Sequence, residues 1–120
     1  MKDIAVSSDG AHLKYNVGPV FERARFFILV DPETREWEVL DNLKNLYTSQ
    51  GVGLITAKSL ARKNIRTVLT GSCGPIAFME LQFAGIEVVL NAKGTIRQAL
   101  FNYLNRELNR TSKSNVLVIF

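Results

Sequence analysis

Apolar residues along the chain fall into short runs separated by turn-forming residues, and the period of each run predicts an element. Ile4-Ala5-Val6-Ser7 is a β-prone run that stops at the turn signal Ser8-Asp9-Gly10. A loop holding His12, Tyr15, Gly18 and Pro19 follows. Phe26-Phe27-Ile28-Leu29-Val30 is continuously apolar, as expected of a strand covered on both faces. The turn Asp31–Arg35 carries Pro and Asp, and it leads into Trp37-Glu38-Val39-Leu40, so these two strands are expected to form an antiparallel hairpin. Residues 41–50 are polar and irregular and read as a loop.

From Gly51 the period changes. Leu54, Ala57 and Ala61 share one helical face with Lys58 and Arg62 opposite, which predicts a helix over 53–63 stopped at Asn64. Thr67–Thr70 is the next strand. Pro75 and Gly85 bracket a second helix with Pro near its start and Gly past its end. That helix has two apolar lines, Ala77, Leu81 and Ala84 on one and Met79 and Phe83 on the other. A helix apolar nearly all round is buried on more than one side. Its second line is expected to lie under the third helix, with a second subunit as the alternative cover. Glu87–Leu90 is a further strand, and Thr95 is placed to cap the third helix. There, Ile96, Ala99, Leu100, Tyr103, Leu104 and Leu108 repeat at helical spacing.

The order β-β-β-α-β-α-β-α makes this an α/β protein, with parallel strands joined by right-handed crossovers after residue 51 and an antiparallel hairpin at one side. One domain is expected over 1–110. Residues 111–120 form an apolar tail in which Val116–Phe120 is either an added strand or an arm docking on a partner.

Composition narrows the class. The 120 residues, 47% hydrophobic and 22% charged, suit one globular domain with a real core. A single cysteine excludes an internal disulfide framework and fits a cytoplasmic setting. No signal peptide is read at the N-terminus, and no apolar run reaches the roughly 20 residues of a membrane helix. Net charge of +4 favours anionic partners. The basic residues are scattered and lack interleaved aromatics, which argues against a nucleic-acid partner.

Candidate chemistry gathers where parallel strands end. In such sheets ligands bind beyond the carboxyl ends of the strands. Ser7–Gly10, Thr70–Gly74 and Asn91–Gly94 leave by that edge, and the turn Gly51-Val52-Gly53 opens a helix on the same side. Unpartnered N–H groups and the dipole at helix starts make anion sites. The expected anion hollow is therefore lined by Gly51, Gly53, Gly71, Ser72, Cys73 and Gly74. The alternative is that these glycines only permit tight turns. At a helix N-terminus the Cys73 thiol is expected to acidify and suit a soft metal, or else to be a small buried residue. His12, the only histidine, is either a second ligand on that rim or a surface residue without a role. H-E-x-x-H, C-x-x-C and G-x-S-x-G are all missing, so catalysis is not expected. Asp9 and Asp31 end neighbouring antiparallel strands, and such ends lie at opposite edges of a sheet, too far apart to share a metal.

Ile4–Gly10, Val20–Ala24 running into Phe26–Asp31, Gly51-Val52-Gly53, Leu69-Thr70-Gly71, Gly74-Pro75-x-Ala77-Phe78, Ala84-Gly85-Ile86 and Gly94-Thr95-Ile96 together resemble the nitrogenase iron–molybdenum cofactor biosynthesis family. Its members include NifX-type proteins, the carboxy-terminal domain of NifB and small free-standing relatives. The resemblance implies a ribonuclease-H-like fold with a mixed five-stranded sheet. It also implies a non-catalytic role in binding or carrying an anionic metal–sulfur cluster. In nitrogen-fixing members this is an iron–molybdenum precursor, and a related orange protein holds a molybdenum–copper–sulfide cluster. Arg23 would supply charge, and Cys73 and His12 would be candidate metal ligands. The family loop is often Phe-Gly-Arg, whereas this chain has Phe21-Glu22-Arg23, an added acid beside an anion site. The alternative reading is a structural or regulatory module that binds a protein partner or a second copy through the second helix or the tail.

Overall fold

The computed structural model describes residues 1–48 and 51–112, with side chains to Arg106. The proposed tail, Val116–Phe120, and the side chain of Leu108 lie outside the described residues. Five strands, β1 (Ile4–Ser8), β2 (Phe26–Val30), β3 (Trp37–Asp41), β4 (Thr67–Leu69) and β5 (Glu87–Val89), form one sheet in the order β3-β2-β1-β4-β5. β1, β2 and β3 are antiparallel, and β1, β4 and β5 are parallel. This is the mixed sheet expected from the sequence.

Helices α2 (Val52–Arg62) and α3 (Pro75–Phe83) cover one face, and α4 (Ile96–Ser112) crosses the other. Strand alternation sorts the core accordingly. Ala5, Phe27, Leu29 and Val68 meet Ala57, Leu60, Ala77 and Leu81 on the first face. Val6, Ile28, Val30 and Leu69 meet Ile96, Ala99 and Leu100 on the second. Ends follow local chemistry. Asn64 adopts φ 62° just past α2, and Thr95 and Gln98 exchange hydrogen bonds of 3.1 and 2.9 Å as a capping pair at the start of α4.

Two expectations are corrected here. Residues 41–50 are not simply a loop, because α1 (Leu43–Leu46) occupies part of them, and a single 3-10 turn spans Phe21–Arg23. The second apolar line of α3 is not covered by α4, since the sheet lies between them. Ile76, Met79 and Phe83 stand 68%, 56% and 83% exposed. Among the described residues no helix is long and apolar enough to cross a membrane.

Candidate functional site

The three loops do converge beyond the carboxyl ends of the parallel strands, but around a segment of the chain itself. Residues 16–20 are stitched to every one of them. Asn16 bridges Thr95, and Val17 N donates to Gly94 O at 2.9 Å. Gly18 N donates to Ser7 O at 2.7 Å, and Ser7 Oγ returns a bond to Gly18 O at 2.8 Å. Val20 bridges Ser72, whose carbonyl accepts from Phe21 N at 2.9 Å and whose Oγ donates to Pro19 O at 3.0 Å. Gly71 is required by this packing. A Cβ there would lie 2.5 Å from Pro19 O and 2.9 Å from Pro19 Cα, both backbone atoms.

A second part of the expected hollow is filled by a carboxylate. Glu22 reaches between the starts of α2 and α3, and its Oε2 accepts a 2.6 Å hydrogen bond from Gly74 N. A charge-assisted bond at a helix start is favourable on both counts. Gly53 lets the side chain pass, because a Cβ there would sit 2.8 Å from Glu22 Cγ and 2.9 Å from Ala77 Cβ. Gly51, at φ 77°, caps α2 and is exposed. The open anion hollow expected from the helix starts is therefore closed by the protein's own anion.

Burial, with the same carboxylate as a smaller contributor, overturns the expected acidic thiol. Cys73 is half-buried against the α2–α3 core. Burial pushes its thiol up to about 11, and the neighbouring Glu22 charge adds to the rise. At neutral pH it is a thiol. His12 does not join it. The imidazole packs edge-on to Trp37 at 5.2 Å, and Trp37 belongs to the α4 face, across the sheet from Cys73. Among the described residues no group of three or more His, Cys, Asp or Glu could hold a metal ion.

Positive charge is nevertheless present on the rim. A hollow of about 340 Å³ lies between Ser8-Asp9, Gly18–Val20 and Arg23–Arg25. Arg25 stacks over Phe26 and pairs with Asp41 at 3.4 Å. Arg23 is exposed and makes no ion pair or side-chain hydrogen bond among the described residues. Its position is fixed from below by buried Asn42. That amide donates to Ala24 O and to Thr56 Oγ1, each at 3.1 Å, and ties the turn to α2. Asn42 was hidden in a stretch that reads as loop. Only its place between β3 and a helix, invisible in the sequence, makes it a hub.

The model of the dinitrogenase iron-molybdenum cofactor family matches residues 2–106. Among solved structures, the apo form of the orange protein from Desulfovibrio gigas is similar at 40% identity, with 89% of this chain and 90% of that chain covered and a TM-score of 0.84. A putative NifB protein from Thermotoga is similar at 30% identity, with 88% and 89% covered and a TM-score of 0.75. No match was found among the curated proteins.

Proposed function

Because the chain belongs to the dinitrogenase iron-molybdenum cofactor family, we propose that it binds and carries a preformed, anionic metal–sulfur cluster, without catalysis. The cargo would sit on the rim, in the hollow that Arg23 and Arg25 line with Gly18–Val20, next to the Ser72-Cys73-Gly74 turn to which Pro19 and Val20 are bonded, in a cytoplasmic, reducing setting. The observation that carries this reading is the exposed Arg23, which makes no ion pair among the described residues and lines a hollow with Gly18–Val20, the segment bonded to Ser72. The donor set fits such a cargo. One thiol and fixed cations can retain a self-contained polynuclear anion by charge and at most one sulfur bond. They cannot assemble a metal centre from protein ligands, which needs several donors. Gly51, Gly53 and Gly71 then shape the rim, and Gly74 holds the carboxylate that borders it. His12 has no part in this site.

The test is anaerobic reconstitution with tetrathiomolybdate and copper(I), or with ferrous iron and sulfide, followed by desalting and metal analysis. Coloured protein with stoichiometric metal is expected. Arg23→Glu should lose most of it, while Lys58→Glu, at a lysine paired with Glu80 of α3 and outside the hollow, should not. Colourless protein from every donor would remove the proposal.

A second reading is favoured by α3. Ile76, Met79 and Phe83 recur at i, i+3 and i+7 and stay exposed, and the stripe starts two residues from Gly74. A protein docking there would meet the rim as well. Sedimentation velocity of the parent and of Met79→Glu would show whether this face pairs two copies. Unchanged monomer in both would dismiss self-association through α3.

A further inference from the structure

One helix cannot cover the second face of this sheet. Five strands at about 4.8 Å spacing are roughly 19 Å across, whereas a helix is about 10 Å wide with its side chains. α4 runs down from the loop after β5, and Tyr103 Oη donates to Glu87 Oε1 at 2.8 Å at the start of that strand. Its core contacts go to Val6, Ile28, Val30 and Leu69. Beside it, toward β5, an open groove of about 580 Å³ remains.

The groove has two distinct parts. Its floor is apolar, made by Leu69, Val89, Leu90, Ala92 and Ala99, with Leu90 41% exposed. Its rim offers the amides of Asn102 and Asn105, with Lys93 and Arg106 as its charges. No carboxylate is among the described lining residues, and the Glu87 carboxylate beneath Tyr103 accepts the phenol hydrogen bond. Lys93 makes no ion pair among the described residues. The loop carrying it is pinned, since Asn91 N donates to Gly71 O at 2.9 Å and Ala92 N to Thr70 O at 3.1 Å. A cavity of this size with an apolar floor and a few fixed polar groups is the ordinary form of a small-molecule site.

We propose that this groove binds a small amphipathic organic anion, an aromatic or medium-chain carboxylate, with its apolar body on Leu69, Val89 and Leu90 and its charge against Lys93. The site is separate from the cluster rim, because Cys73 and Glu22 lie on the opposite face of the sheet.

Amide-resolved NMR titrations of the full chain with octanoate and with 1-anilinonaphthalene-8-sulfonate test it. Saturable shifts at Leu90–Lys93 and Asn102–Tyr103 are expected for both. Octanol, of equal length without charge, should bind at least tenfold more weakly. Lys93→Glu should weaken octanoate about tenfold or more, and Leu90→Asp, at an exposed position, should do the same if the first variant folds poorly. Several results would overturn the proposal: no saturable shift, equal binding of octanol, or undiminished binding by both variants. So would shifts confined to Ile76–Phe83, which would place the probes on α3. Competitive displacement by tetrathiomolybdate would merge the groove with the cluster site. Finally, movement of the same amides by Ile119→Asp without ligand would identify the chain's own C-terminal residues as the occupant.

Discussion

Removing the Glu22 carboxylate should move stability and cargo affinity in opposite directions. The side chain accepts a 2.6 Å hydrogen bond from Gly74 N at the start of α3. A hydrogen bond to a charged group contributes about 1.5–3 kcal/mol, and an anion at a helix start about 0.3–1 kcal/mol. Glu22 is only half-buried, so the lower end applies, and Glu22→Ala should cost about 1.5 kcal/mol. The effect on an anionic cargo is the reverse. For a cargo taken to lie about 7 Å from it, a unit charge repels by about 2 kcal/mol at an effective dielectric near 20. Screening over a Debye length of about 8 Å reduces this to about 1 kcal/mol. Affinity should therefore rise at least about fivefold. Glu22→Gln separates the two terms, since it keeps an acceptor for Gly74 N and loses the charge. It should retain most of the stability and show the same gain in affinity. Urea denaturation gives the first quantity, and titration with tetrathiomolybdate under anaerobic conditions the second. A Glu22→Ala protein as stable as the parent, or one that binds the cargo no better, would refute the reasoning.

Gly71→Ala would drive a Cβ into the Pro19 backbone, so a loss of about 1–3 kcal/mol is expected. Hydrogen exchange should speed up at the Gly18 and Phe21 amides and not at Val6. Asn42→Ala should destabilise by about 2–3 kcal/mol, because it leaves the buried Ala24 carbonyl without its donor; a change below about 0.5 kcal/mol in urea denaturation would remove Asn42 as a hub. The Cys73 thiol, at about 11 against an ordinary 9.0, keeps its proton in the folded chain while the unfolded chain gives it up. Its contribution is thus fully present below pH 9 and is lost as pH rises toward 11, a slope that Cys73→Ala should remove. If the thiolate ligates the cargo, affinity should climb with pH in the parent and stay flat in Cys73→Ala.

Much of the fold was legible because strands and helices here differ cleanly in period. The runs at Phe26–Val30 and Ile96–Leu100 are each buried on the face their pattern dictates, and the Pro75 and Gly85 brackets fall where α3 starts and stops. Short elements escaped. α1 has four residues and no period to read, and the 3-10 turn at Phe21–Arg23 is held by tertiary contacts to Ser72 and Gly74. The exposure of the second line of α3 could not be read either, since a helix apolar all round predicts burial without saying whether its own chain supplies the cover.

The candidate site was legible as a place and not as a surface. Sequence reasoning brought the loops at Ser7–Gly10, Thr70–Gly74 and Asn91–Gly94 to one edge, where they do meet. It could not see that residues 16–20 would occupy the space between them, because that stitching depends on backbone atoms with no sequence signature. The Glu22 departure was visible as an added acid. Its consequence needed the folded structure, in which burial of Cys73, aided by the carboxylate held on Gly74 N, keeps protonated a thiol expected to acidify.

The most direct test of the central claim is an anaerobic, amide-resolved NMR titration of the full chain with tetrathiomolybdate and copper(I). The account predicts saturable shifts centred on Arg23, Ser72, Cys73 and Gly74 that are lost in Arg23→Glu. Shifts centred instead around His12 and Trp37, or none at any stoichiometry, would contradict it.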